Sequence, residues 1–319
     1  MPWPDTKIAA LAMLLTATGA ASAAPAPCPG PALPIRALAD GVWLISGSTG
    51  DRNAINQGRI SNLLAVREGR RLWLLGSGPD ARFARALDCQ LARQAGRRVS
   101  DVIAPWPRPE LVLGQGGLPA TRRWAHEEVA AAMRERCPQC VERLAQRRDL
   151  PAGTPAEPVV LPQRLLRGTT GRLGPWRWHR LMRSDTTAVT VWQLPRQRIA
   201  AAHGLLWSDG APDLRDARIA VMKTSLQALS ALQQQPDGPL HWLPEQGEML
   251  GAQAPAGHRA YLETLERQAD RAMEDGTQES DPPPAPEAAA MAAGLRHGLN
   301  WQHAWREAEA RWFGATAPR

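Results

Sequence analysis

The chain has 319 residues, 44% of them hydrophobic, with 38 Lys and Arg against 31 Asp and Glu, a formal net charge of +7 and 4 cysteines. That apolar content is ample for one large domain with a sizeable core. The positive charge is carried mainly by arginines scattered through residues 82–98, 122–148 and 164–198. This spread describes a solvated basic surface, and together with an N-terminal export signal it argues against a nucleic-acid partner, although it leaves open docking to an acidic protein.

The chain opens MPWPDTKIAALAMLLTATGAASAAPAPC, with a lone Lys7, an apolar run over residues 8–15 and a small-residue step at residues 21–23. This is the pattern of a secretory signal peptide over residues 1–24, cut near Ala23 or Ala24. The apolar run is too short to span a bilayer, and no later segment is long and apolar enough to do so. The expected product is an exported protein, periplasmic or secreted, with no membrane span. In that compartment four cysteines point to disulfides rather than metal ligands, and Cys28–Cys89 with Cys137–Cys140 is one of three possible connectivities. A redox role for Cys-Pro-Gln-Cys at residues 137–140 would require it to follow a strand and open a helix. Here it follows a helical run instead.

After a Pro-rich entry, residues 41–46 (GVWLIS), 60–66 (ISNLLAV) and 71–78 (RLWLLGSG) have the composition of strands. Residues 80–94 place Phe83, Ala86, Leu87 and Leu91 at helical spacing. A β-branched run at residues 99–104 predicts a further strand. Residues 124–144 predict a second helix, with Glu127 and Glu128 in its first turn and arginines towards its end, as the helix dipole favours. The middle third predicts strands at residues 158–161, 176–182, 187–194 and 198–202. A long helix is predicted over residues 213–234, a strand and loop over 241–247, and helices over 260–276 and 299–313. The prolines of QESDPPPAP, residues 278–286, forbid helix between the last two.

The stretch VSDVIAPWPRPELVLGQ, residues 99–115, resembles the metallo-β-lactamase superfamily signature, in which a buried strand ends in HxHxDH followed by an apolar pair and Gly. The four metal-binding positions of that signature fall on Trp106, Arg108, Glu110 and Leu111. Gly76 stands where the superfamily has the Asp of its DTG step. Counting back from Leu194 and Pro195 puts Asp185 at the His of GHTxGD. The later metal-binding Asp falls on Gly204, with His203 beside it, and HWLPEQG puts Gln246 at the last His. The two C-terminal helical segments resemble those of exported superfamily members found with quinoprotein dehydrogenase or sulfur-oxidation systems.

This resemblance implies an α/β chain folded as a four-layer αββα sandwich over residues 25–275, with residues 276–319 forming a Pro-rich loop and C-terminal helices packed on the same domain. An intact member would use two zinc ions to make hydroxide near neutral pH. Zinc needs lone pairs from imidazole, thiolate or carboxylate, and a permanent guanidinium cation would repel it. The pattern therefore implies a frame kept and a metal site lost, with no cofactor. It implies a pseudoenzyme that binds an unknown small molecule or periplasmic protein in a quinoprotein-linked oxidation system. The alternative is a hydrolase of ester, thioester or lactam substrates using a single-metal or metal-free site built from the residual polar residues Arg108, Glu110, Asp185 and His203.

Two local questions stay open at this level. Arg108 either pairs Asp185 or Glu110 across the cleft floor or points into solvent. Trp106 either plugs the vacated cavity or stacks on a ligand. Ser77 has no predictable base and serves as a turn residue. Most of the 13 tryptophans, including Trp43, Trp73, Trp192 and Trp242, sit on apolar strands and belong to the core.

Overall fold

Strict alternation of side chains along two sets of strands builds the molecule, because it gives each sheet two apolar faces that both need cover. A computed structural model describes residues 27–146, 158–280 and 295–314. The signal-peptide segment, most of the Pro-rich loop and residues 147–157 lie outside it. The first sheet has the order β1 (Ile35–Ala39), β2 (Val42–Ile45), β3 (Leu63–Glu68), β4 (Arg71–Leu75), β5 (Asp101–Ala104), β6 (Arg122–His126) and β7 (Arg164–Leu166). Its first four strands are antiparallel, and β4 to β7 run parallel. The second sheet has the order β13 (Leu250–Gly251), β12 (His241–Leu243), β11 (Ile199–Ala201), β10 (Ala188–Leu194), β9 (Trp176–Met182) and β8 (Thr170–Leu173).

Between the sheets, Val42, Leu64, Trp73 and Ile103 of the first meet Trp176, Trp192, Ile199 and Leu243 of the second. The alternate residues of the same strands face outward into a second core: Trp43, Leu74 and Val102 on one side, Val191, Ala200 and Trp242 on the other. On the first sheet that outer face is covered by α1 (Ala81–Ala95) and α3 (Glu127–Ala145). On the second it is covered by α4 (Ile219–Gln233), α5 (Ala254–Glu274) and α6 (Leu295–Gly314), with Tyr261, Leu265, Trp301 and Ala304 buried among them. The result is the αββα sandwich. A buried indole such as Trp73 is worth about 3–5 kcal/mol by truncation to Ala.

Several local expectations are corrected. Residues 122–126 form β6, parallel to β5, so the helix begins only at Glu127, with His126 as its cap accepting from the Glu128 amide. Pairing with a buried neighbouring strand outweighs the helical propensity of that stretch. Residues 158–161 are not a strand; β7 and β8 lie further on. The helix expected from residue 213 starts at Ile219. Cys28 and Cys89 form a disulfide with a Cα–Cα distance of 5.6 Å, whereas Cys137 and Cys140 are free thiols. Both free thiols lie inside α3, where residues three apart hold their Cβ atoms about 5–6 Å apart. That is too far for a disulfide, which needs about 3.5–4.5 Å. No helix among the described residues is long and apolar enough to cross a membrane.

Candidate functional site

The parallel strands β4 and β5 and the strands β11 and β12 all end at one edge of the sandwich. The loops that follow β5, β11 and β12, with the β9–β10 turn and α3, enclose a cleft of about 860 Å³. The chain leaves β5 through Pro105-Trp106-Pro107-Arg108-Pro109. Its three prolines donate no backbone hydrogen bond, and the segment bends over residues 105–107, where the Arg108 amide donates to the Trp106 carbonyl at 2.9 Å. The segment is pinned where the amide and hydroxyl of Thr190 both donate to the Pro105 carbonyl at 2.8 Å. Arg108 then takes the cap position of the short helix α2 (Pro109–Val112), and its side chain is held at the cleft floor by Asp213.

That floor is a network of charges and indoles. Trp106 is 1% exposed, and its Nε1 donates to Glu245 Oε2 at 3.0 Å. The Arg183 guanidinium lies 4.5 Å from the Trp106 ring and 5.5 Å from that of Trp207, and Arg108 stacks 4.9 Å from Trp106. Arg183 donates to the carbonyls of Gly204 and Asp213. Asp213 accepts from Arg108 and from Arg215, whose Nη2 is 2.6 Å away. Glu245 accepts from the Gly204 amide at 2.9 Å and lies 3.8 Å from Arg108 Nε. Gly204 is required here: its φ is +77°, and a Cβ would come within 3.2 Å of the Trp106 indole.

Burial sets the titration of these groups, and their neighbours then adjust it. Burial alone would lower Arg108, but Glu245 and Asp213 beside it raise it above the ordinary arginine value. Arg183, enclosed completely and next to Arg108, is pushed down to about 10. Burial raises the Glu245 carboxyl, with the two guanidinium groups opposing. Asp213 is held well below the usual carboxylate range, because hydrogen bonds from Arg215 and the charge of Arg108 outweigh its burial.

The residues expected from the sequence are dispersed. Arg108 is paired, but with Asp213 and Glu245 rather than with Asp185 or Glu110. Asp185 lies on the outside, ion-paired to Arg218. Glu110 lines the cleft wall, and Leu111 is buried. His203 is fully buried: its Nε2 is 2.8 Å from the Asn62 carbonyl, and burial lowers its pKa to about 4. Gln246 is turned to Arg296, 3.0 Å away. Trp106 fills the space beneath the cleft. Ser77 is buried and donates to the Leu111 carbonyl. Among the described residues no three His, Cys, Asp or Glu side chains converge.

These residues do not fit a zinc ion. Trp106, Arg108, Leu111 and Gly204 offer no lone pair to a metal, and the two carboxylates facing the centre, Asp213 and Glu245, are already engaged with guanidinium groups. Sequence reasoning missed Arg183, Asp213, Glu245 and Trp207. One signal was present: a glutamate, Glu245, ends an apolar strand where the resembling motif has glycine.

No protein-family model matches the chain, and no curated protein matches its sequence. Solved structures do match in shape. A metallo-β-lactamase from Pseudomonas aeruginosa in its mono-zinc form superposes with a TM-score of 0.58 at 16% identity, over 73% of this chain and 95% of that one. A metallo-β-lactamase from Pontibacter korlensis gives 0.56 at 15%, covering 73% and 99%. One from Erythrobacter litoralis, with β-mercaptoethanol in its active site, gives 0.57 at 17%, covering 72% and 96%. This chain has the metallo-β-lactamase fold.

Proposed function

We propose that this chain is a non-hydrolytic binding or accessory protein built on the metallo-β-lactamase fold. The observation that carries this reading is the cleft floor. Arg108 stands at a position where the resembling motif has a metal ligand, Arg183 packs beside it over Trp106, and Asp213 and Glu245 are ion-paired to Arg108. A guanidinium is protonated throughout the physiological range and cannot take a proton from water, so it generates no nucleophile. What remains is a walled, polar cleft of a size that suits a small molecule.

The setting we propose is the periplasm, as an accessory of a quinoprotein-linked oxidation system. Supporting it are the signal-peptide pattern of residues 1–24, the Cys28–Cys89 bridge, which suits an oxidising compartment, and the resemblance of the C-terminal helical segments. Cell fractionation tests the location, with the protein expected in the periplasmic or secreted fraction.

Hydrolysis assays test the main reading. Purified protein is incubated with an activated ester, a thioester and a chromogenic cephalosporin, with and without added zinc. The expected rate is that of buffer alone in every arm. Turnover that disappears in Glu110→Ala or Asp185→Ala would establish the hydrolase alternative.

A further inference from the structure

The floor of the cleft holds two carboxylates, Asp213 and Glu245, against its guanidinium groups, whereas one of its walls has fewer. The helix α3 presents Arg136, Cys140 and Arg143 to the cleft, positions four and three residues apart that fall on one helical face. Ser184, Thr186 and Thr187 of the β9–β10 turn also line it. Arg136 Nη1 is held by Thr187 Oγ1 at 3.2 Å, and Arg143 donates to the Gln139 carbonyl at 3.3 Å and lies 3.7 Å from Cys140 Sγ.

Among the described residues, the partners of these two arginines are thus uncharged. Arg108, Arg215 and Arg296 on the same cleft differ, each having a carboxylate within ion-pair distance. Among the described residues the acidic side chain lining this wall is Glu110, so two guanidinium groups face one carboxylate there. Arginine presents a planar fork of donors that matches the two oxygens of a carboxylate, phosphate or sulfonate. At the floor, Arg108 Nε is buried and lies 3.8 Å from Glu245, so the floor offers the ligand no such fork.

We propose that the α3 wall is an anion-binding subsite, in which Arg136 and Arg143 grip the carboxylate, phosphate or sulfonate group of a small organic ligand and hydroxyls of the β9–β10 turn complete its hydrogen bonding. This rests on the reading of the cleft as a binding site and names the class of ligand it takes.

Cys140 is a built-in reporter of the subsite. It lines the cleft beside Arg143 and is half-buried, whereas Cys137 is fully buried with its thiol pushed up to about 12 by burial, so Cys137 stays silent. The test compares alkylation of Cys140 by anionic iodoacetate and neutral iodoacetamide at neutral pH, followed by peptide mass spectrometry.

Two unscreened guanidinium groups should raise the iodoacetate-to-iodoacetamide rate ratio roughly fivefold or more over a free-cysteine peptide, and the gain should fade at high salt. Millimolar inorganic phosphate, succinate or methanesulfonate should each slow alkylation, ranking the three head groups, while glycerol should not. The double variant Arg136→Gln/Arg143→Gln should lose the excess ratio, and Arg136→Lys/Arg143→Lys, which preserves charge, should retain most of it. A wild-type ratio equal to that of the peptide, or no protection by any of the three anions, overturns the proposal. Turnover plays no part in this assay. Failure here leaves the non-hydrolytic reading standing, and hydrolysis in the ester and lactam assays would sink that reading without changing the alkylation ratio.

Discussion

The two ends of β5 each bury charge, in different ways. At its start Asp101 is fully buried, and its carboxylate accepts from Arg122 Nε at 2.8 Å and Nη2 at 2.7 Å, from Trp124 Nε1 at 3.0 Å and from Ser100 Oγ at 2.8 Å. The donors come from Ser100 and from Arg122 and Trp124 on the neighbouring strand β6, and the Arg122 side chain is 39% exposed, so this pair keeps contact with water. Beyond its end, the cleft floor draws Arg108, Arg183, Asp213 and Glu245 from both halves of the chain. There the Nε atoms of Arg108 and Arg183 have no hydrogen-bond acceptor. The first cluster is a closed structural joint. The second joins four loops around a cleft and leaves buried donors without acceptors.

Removing one charge from each cluster tests that contrast most strongly. Glu245→Ala strips a fully buried carboxylate from two guanidinium groups and should cost about 3–5 kcal/mol in urea unfolding. Asp101→Ala leaves its indole donor unpaired but lets Arg122 turn to solvent, so about 1–3 kcal/mol is expected. Equal losses would erase the distinction between a sealed floor and a solvated joint.

Acid should also act on one end first. His203, behind the floor, has a folded pKa of about 4, below the ordinary histidine value near 6.5. The folded state therefore binds fewer protons than the unfolded one across this window. The stability from neutral His203 is complete above about pH 6.5 and is lost as the pH falls through about 4, amounting to ~3 kcal/mol. His179, His258 and His297 are lowered in the same direction and contribute the same sign. As the pH falls from 6.5 to 4, hydrogen-exchange protection factors, taken against the intrinsic rate at each pH, should drop at the amides of Gly204 and Trp207 before those of Arg122 and Trp124. His203→Gln should flatten the histidine part of the stability profile.

The smallest expected effect is at the solvated joint: Arg122→Ala should cost about 1 kcal/mol, as for a half-exposed ion-pair partner, and should leave the cleft unchanged. A larger loss, read as a shift in the urea midpoint, would mean that Asp101 depends on Arg122 far more than its other two donors allow.

Much of the frame was legible because alternation and turn residues act locally. The strands around Val42–Ile45, Leu63–Glu68 and Ala188–Leu194 are apolar enough to declare themselves. The stretch Arg122–His126 was not legible, since it is a strand only because β5 lies alongside it. At the site, Trp106 and Arg108 were visible as departures from a motif. Their partners were not, because Asp213 and Glu245 lie 105 and 137 residues beyond Arg108, and nothing local announces that they converge. Asp185 was chosen by spacing from Pro195, yet its side chain turns outward to Arg218. A sequence count fixes position along a strand but not which side of a turn a carboxylate takes.

The central claim is that guanidinium groups occupy the place a divalent cation would need. Metal analysis by inductively coupled plasma mass spectrometry, after incubation with excess zinc and desalting, tests it most directly. The account predicts that no stoichiometric zinc is retained. One or two equivalents tightly held by the wild-type protein, and released in Glu245→Ala or Asp213→Ala, would contradict it.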